Sequence, residues 1–318
     1  MKRAAEACTE AEPFLERIHC SSDPDSLDGV IFHRGRASIV DATPPHVIEP
    51  GYPGGFETVV NLCDYFDEEK LERRLEEIAA LQAANQECHR KCQGLLRGAE
   101  LLRQENFRFA ERHLHLEKIR AFAARVVKNE LGESSGPARE DRRLLSAVTN
   151  QGVLTYAQTA QAICTRLFVI QDEFGAAANA LLQRIRLEAL EKGHWVISCY
   201  CPLAPESQLE HLFFPGLRFG IVTRNRLHPF EGIKAAKIIH FTRFTAMEEL
   251  KRRKQCMSFH RKAAAGLLDA AAETLRQAKR IHDQLEEQYL DAVDFSRVEA
   301  KTVEVLEKLK RRYPPAEQ

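Results

Sequence analysis

The chain carries one unit twice, and that duplication limits its possible folds more than any other feature does. Residues 18–32 read IHCSSDPDSLDGVIF and residues 199–214 read CYCPLAPESQLEHLFF. With Gln208 as one extra residue in the second, Cys20 meets Cys201, Pro24 meets Pro205, Ser26 meets Ser207, Leu27 meets Leu209 and Phe32 meets Phe214. The register continues, with Ile39 and Val40 opposite Ile221 and Val222, His46 opposite His228, and Glu49 opposite Glu231. TVVNLCDY (58–65) then parallels KIIHFTRF (237–244), and Leu71 falls opposite Leu250. Matches held in register over such a span mark two halves of one architecture.

Each half opens on short apolar runs set between helix-like stretches, from ERIHC to ASIVDAT in the first and from HWVISCY to RFGIVTR in the second. Such runs predict buried strands of a parallel sheet. A further run, RLFVIQ (166–171), is followed by a helix containing ALLQRIRLEALEKG (180–193). Strand–loop–helix–strand units of this kind make right-handed crossovers, so the fold class is α/β. Each half then turns helical. Ile78, Leu81, Asn85, Cys88, Cys92, Leu95, Ala99 and Leu102 recur at steps of three and four, as do Leu268, Ala271, Leu275, Ala278, His282, Leu285 and Tyr289. That spacing lays a stripe along one helix face, suited to a long helical hairpin or a short coiled coil. GESSGPARED (132–141) breaks the pattern and places a linker at 132–142. The domains are then 1–131, with helices over 68–131, and 143–318, with helices over 247–312.

Lys and Arg number 46 and Asp and Glu 46, so no net charge draws the chain to nucleic acid or anionic lipid. The basic runs Lys251–Lys254 and Lys308–Arg312 lie in Glu-rich helices without interleaved aromatics and read as solvated faces. No apolar run suits a membrane span, and no signal peptide opens the chain. Nine cysteines, an odd number without disulfide-framework spacing, fit reduced thiols and a cytoplasmic protein.

A strand that feeds through a glycine-rich loop into a helix is the geometry that binds phosphate. The second half has that context at RLFVI, QDEFGAAAN and ALLQRI. Against G-x-x-x-x-G-K-[ST], Asp172 stands at the first glycine, Ala177 at the second, Ala178 at the lysine and Asn179 at the Ser/Thr. Of the flexible positions Gly175 alone remains, and Asp172 and Glu173 bring negative charge toward any polyanion. The loop reads as a plain helix-capping turn, with Gly175 and Asn179 the positions left for a nucleotide to contact.

IHCSSDPDSLDGVIF, then ASIVDATPPHVIEPGYPGGFETVVNL and DEEKL, with LHPFEG (227–232) and DAVDF (291–295), resemble a bacterial family of tandem P-loop ATPases over essentially the whole chain. Its members carry a G-x-P-G-x-G-K-S-T loop in each half. The resemblance implies two tandem P-loop NTPase-like parallel-sheet domains, each followed by a long helical hairpin or coiled-coil segment, and implies ATP and Mg²⁺ as cofactors. Met1-Lys2-Arg3 resembles the residues directly after that loop, and the repeat register puts Met1 opposite Leu182, so an intact first strand and loop are expected before Met1.

Asp41 ends the run Ala37–Val40, where an acidic residue can hold a Mg²⁺-bound water in the Walker B role or act as a simple turn aspartate. Its counterpart is Thr223. Asp23 and Asp25 lie in a loop at a strand end, a place for crevice ligands and also an ordinary turn opening. His46 and His228 each precede a glutamate, Glu49 and Glu231, as an acid/base pair or a structural hydrogen bond. Cys88-His89-x-x-Cys92 falls on the helical stripe and reads as buried thiols, and His282 as a core histidine. The function expected is that of a P-loop ATPase-family protein, not hydrolytically competent in this chain; the alternative is a non-enzymatic scaffold that binds partners or self-associates through its helical hairpins.

Overall fold

The computed structural model describes residues 1–9, 15–32, 37–43, 47–134 and 136–312. The first half gives α1 (Lys2–Thr9), β1 (Glu16–His19), β2 (Leu27–Phe32), β3 (Ala37–Val40), α2 (Glu68–Glu72), α3 (Leu75–Glu111) and α4 (Leu116–Val126). Then come β4 (Arg139–Leu144), β5 (Ser146–Thr149), β6 (Gly152–Thr155), α5 (Ala157–Ile163) and β7 (Arg166–Gln171). The second half repeats the first series, with one strand added, as α6 (Ala176–Glu191), β8 (Trp195–Cys201), β9 (Ala204–Phe214), β10 (Phe219–Arg224), the added β11 (Lys237–His240), α7 (Met247–Arg252), α8 (Lys254–Leu290) and α9 (Phe295–Arg312). A 3₁₀ turn precedes α2 at Cys63–Tyr65 and α7 at Phe241–Arg243. The duplication seen in the residues is therefore also a duplication of element order.

The chain forms two compact units, Met1–His89 with Leu275–Gln318, and Arg90–Thr274. Their division falls within α3 and α8, not at 132–142. Each unit combines the α/β part of one half with the helix–helix turn of the other, and the backbone bonds that fasten the turn are the same in both. In the first unit the Asp67 N–H donates to Ala292 O (2.7 Å) and the Asp294 N–H to Tyr65 O (2.9 Å). In the second the Ala246 N–H donates to His113 O (2.9 Å) and the His115 N–H to Phe244 O (2.7 Å). Every residue in one set is the repeat counterpart of a residue in the other.

The fold is mixed α/β, and the sheets are not parallel as expected. The second unit holds a six-stranded sheet in the order β11-β7-β10-β9-β8-β4, in which β7 pairs parallel with β10 and β11, β4 pairs parallel with β8, and β9 runs antiparallel to β8 and β10. Only Pro202 and Leu203 join β8 to β9. A link that short makes a hairpin, whereas a parallel pair needs a crossover of a dozen or more residues. The first unit has the equivalent antiparallel meander, β1-β2-β3. Residues 139–142 of the expected linker begin β4, a charged edge strand whose Arg139 and Arg142 lie over the Trp195 and Tyr200 rings. Its polar sequence hid it, because charge is what an exposed edge carries.

β7 is apolar throughout because both its faces are covered. Phe168 and Ile170 join Leu181, Leu182 and Ile185 of α6 on one side, while Leu167 and Val169 join Cys164, Phe213 and Val222 on the other. Gly220 lets the second layer close, since a Cβ there would stand 2.7 Å from Phe213 Cδ1 and 2.9 Å from Cys164 Sγ. α3 and α8 run side by side in each unit. In the second, Asn106 Nδ2 donates to Met257 O (2.9 Å), and in the first, Arg74 forks onto Asp291 (2.7 and 2.8 Å). Cys88, Cys92, Ala99, Leu268, Ala271, Leu275 and Ala278 of the two stripes are buried, but His282 is not a core residue. It is exposed, with Nε2 3.2 Å from Glu286, because the stripe drifts toward solvent near the end of α8.

Candidate functional site

The second unit places the β7–α6 loop and the ends of β9 and β10 together at the carboxyl edge of its parallel strands, where open α/β sheets hold ligands. Gly175 is the N-cap of α6 with φ +78°, a left-handed conformation that glycine adopts without strain. The loop's amides face inward onto the chain's own carboxylate. Asp172 is 1% exposed; its Oδ1 accepts from the Phe174 N–H (3.0 Å) and its Oδ2 from the Ala178 N–H (2.9 Å). Burial pushes its carboxyl up, and the amides of Ala178, Phe174, Gly175 and Ala177 oppose that shift. The group that reads in the sequence as repelling phosphate in fact sits where phosphate would, at the amino end of a helix. Ala176, Ala177 and Ala178 are buried around it, and Asn179 Oδ1 accepts from the Leu209 N–H (2.9 Å), tying α6 to β9. Both residues left for a nucleotide, Gly175 and Asn179, are thus used by the fold.

Beside the loop lies a buried cluster that sequence reasoning assigned only in part. Thr223, at the end of β10, donates its hydroxyl to Glu210 O (2.6 Å) and its N–H to His211 Nδ1 (3.1 Å). His228 Nε2 lies 2.6 Å from Glu210 Oε2, both fully enclosed, although the imidazole N–H axis is not directed at that oxygen. The partner of His228 is therefore Glu210 and not Glu231, which is exposed. The sequence pairing fails because Glu231 follows the β10–β11 turn outward, whereas Glu210 bulges from β9 directly beneath the histidine. His46 falls outside the described residues. Burial alone would raise the Glu210 carboxyl; the charge and close contact of His228, with His211 and Arg103, bring it down to about 2. Burial, then His228, lowers His211 to about 3, so it is neutral.

Glu210 is the bulged residue of the β8–β9 pair, and Asp28 is bulged from β1–β2 at the same repeat position. Each interacts with a cysteine at the end of the preceding strand, Cys20 just beyond β1 and Cys201 the last residue of β8. Burial raises Cys20, with Asp28 adding to the rise, and burial followed by Glu210 pushes Cys201 up to about 12. These thiols stay protonated. An acidic residue recurring inside an apolar run at one register was the signal that could have found the pair.

Glu210, His211 and His228 offer ligand atoms within 4.8 Å of one another. The donor set does not fit a metal. His211 Nδ1 already accepts an amide proton, so its Nε2 carries the hydrogen and has no lone pair to give. Two donors remain, fewer than the three protein ligands of a zinc site.

A cavity of about 350 Å³ opens beside the loop, lined by Arg103, Arg226, Arg261 and Lys262 together with Glu173 and Phe174. Glu173 lies 3.5 Å from Arg261 and 3.7 Å from Arg226, which offsets part of that positive charge.

The remaining predicted residues belong to the first unit and do not converge. Asp41 Oδ1 accepts from both the N–H (2.9 Å) and the hydroxyl (2.8 Å) of Thr43, as a turn aspartate does. Asp23 accepts from Ser26 Oγ (3.0 Å) and the Asp25 N–H (3.3 Å) and faces Lys279, while Asp25 is exposed. No protein-family model, curated protein or solved structure matches the chain. No helix among the described residues is long and apolar enough to cross a membrane.

Proposed function

We propose that the chain is a P-loop ATPase-type protein whose second half has exchanged phosphate binding for structure, and that it works as a non-enzymatic cytoplasmic interaction module. The Asp172 carboxylate carries this reading: it occupies the loop amides and is sealed from solvent. The strand–loop–helix at β7–α6, its left-handed Gly175 and the adjacent parallel β10 support descent from a phosphate-binding unit. Ala178 and Asn179 supply neither the cation for β- and γ-phosphates nor the hydroxyl for Mg²⁺. ATP and Mg²⁺ then belong to complete members of such a class, in which Asp41 would be the Walker B-type carboxylate of the first half once freed from its turn bonds to Thr43. Partners bind through the helical segments, where Leu101 and Phe259 are 66% and 65% exposed. None of the eight cysteines from Cys20 to Cys256 forms a disulfide, in keeping with a reducing compartment.

Phosphate release and calorimetric titration with Mg·ATP test this on the full chain. We expect neither turnover nor heat. Turnover that co-purifies with the chain overturns the reading.

A further inference from the structure

In the second unit, three polar residues of α3 and α8 stand where the first unit has other residue types. By the register that sets Leu71 opposite Leu250, His260 stands opposite Leu81, Asn106 opposite Leu285 and Cys256 opposite Glu77. Leucine therefore serves the shared architecture at two of these positions, and the histidine and asparagine answer to something else.

The three side chains form a relay of hydrogen bonds. Asn106 is 5% exposed and is held by its Nδ2, which donates to Met257 O (2.9 Å). A carbonyl can only accept, so the amide oxygen is the end that turns to His260 Nδ1, 3.1 Å away. Asn106 Oδ1 then accepts the Nδ1 proton, and the neutral imidazole keeps its lone pair on Nε2. That nitrogen lies 3.5 Å from Cys256 Sγ, one turn back along α8, and can take the thiol proton. A nucleophile, its base and a group that orients the base stand in order, the arrangement that activates a cysteine.

Cys256 is exposed and lies outside the lining of the cavity beside the β7–α6 loop. It sits in the first turn of α8, where the helix dipole favours negative charge. The preceding segment MEELKRRK (247–254) carries four basic residues against two acidic ones. Arg253, about one turn back, lies over the Phe109 ring at 4.9 Å.

We propose that Cys256 is a thiol-exchange site for a small anionic disulfide, with His260 as its base and Asn106 as the residue that positions the base. The thiol proton passes to His260 Nε2, and the sulfur attacks one sulfur of the disulfide. The new S–S bond forms as the old one breaks, and the departing thiolate takes the proton from His260. Cys256 ends as a mixed disulfide and the other half of the reagent as a thiol, so the exchange balances without a further oxidant. Such a step needs neither an enclosed pocket nor an oxyanion hole, which suits an open thiol, and the basic segment selects an anionic reagent.

The test treats the full chain with glutathione disulfide and follows each cysteine by peptide mass spectrometry. Cys63, the other exposed cysteine among the described residues, is the internal reference. We expect Cys256 to react at least about tenfold faster than Cys63, a modest gain for a positioned base. His260→Ala should bring Cys256 down to the rate of Cys63, leave Cys63 unchanged, and be rescued by added imidazole. In nitrogen NMR the neutral His260 ring should carry its proton on Nδ1, and Asn106→Leu should move it toward Nε2, a change that a merely structural asparagine would not produce. The spectrum of the unaltered chain decides the point even if that variant does not fold. Taken relative to N-acetylcysteinamide, an uncharged thiol, Cys256 should react faster with glutathione disulfide than with cationic cystamine. The proposal fails if Cys256 reacts no faster than Cys63, if His260→Ala leaves its rate unchanged, if the neutral ring is protonated on Nε2, or if cystamine is preferred.

Discussion

Replacing Asp172 with alanine removes a carboxylate that is 1% exposed and accepts from two backbone amides, at 3.0 and 2.9 Å. Loss of such a cap costs about 1–2 kcal/mol, and each buried N–H left without an acceptor adds about 1–3 kcal/mol. Relief from burying the charge offsets part of this, so we expect a net loss of about 3 kcal/mol. For a unit of this size that lowers Tm by about 6–12 °C. Alanine keeps the β-carbon, so the excised group has the shape of formate. Formate should therefore raise the Tm of Asp172→Ala and not that of the unaltered chain, and chloride at equal ionic strength should not substitute for it. The gain should follow RT ln(1 + [formate]/Kd), about 1.4 kcal/mol at tenfold excess over Kd. Calorimetry or fluorescence melting reads both arms. If the variant melts within about 1 °C of the unaltered chain, or formate acts no differently from chloride, the loop amides are not held by this carboxylate and the reasoning is wrong.

Acid should weaken the second unit. Glu210, lowered from 4.5 to about 2, contributes stability that is present above its ordinary value and is lost as pH falls toward 2. His211, held neutral from 6.5 down to about 3, makes unfolding take up a proton over that range, so it acts in the same direction. Urea midpoints should fall steadily from pH 6.5 to pH 4, at up to about 1.4 kcal/mol per pH unit per group; a flat profile contradicts the assignment. Gly220→Ala should destabilise by about 1–3 kcal/mol in chemical denaturation, because its Cβ would meet Phe213, Cys164 and Leu167 within 3.0 Å. Gly175→Ala should cost about 1 kcal/mol through its positive φ alone, because among the described residues a Cβ there would come no nearer than 4.0 Å, to Phe107.

Several elements were legible because their causes are local. The match of Cys20, Pro24 and Phe32 with Cys201, Pro205 and Phe214 foretold the repeated order of elements, and steps of three and four foretold α3 and α8. The β7–loop–α6 turn was also legible, since Gly175 and the flanking apolar runs lie within a few residues of each other. The direction in which Asp172 points was not. A sequence shows a negative charge near a helix start, but only packing against Ala176–Ala178 turns it inward onto the amides. Glu231 stands nearer to His228 in sequence, yet Glu210 reaches it because β9 and β10 lie side by side.

By itself, then, the sequence determined that this protein is a duplicated α/β chain with long helical segments and a strand–loop–helix that lacks the lysine and hydroxyl phosphate binding uses. Periodicity, turn residues and residue chemistry act over a few positions and survive in a linear string. Tertiary structure decided that the sheets are mixed, that each unit takes its helix–helix turn from the other half, and that Asp172 fills the loop. Those outcomes depend on which distant segments close upon one another, and the free energy of such contacts exists only once the chain has folded.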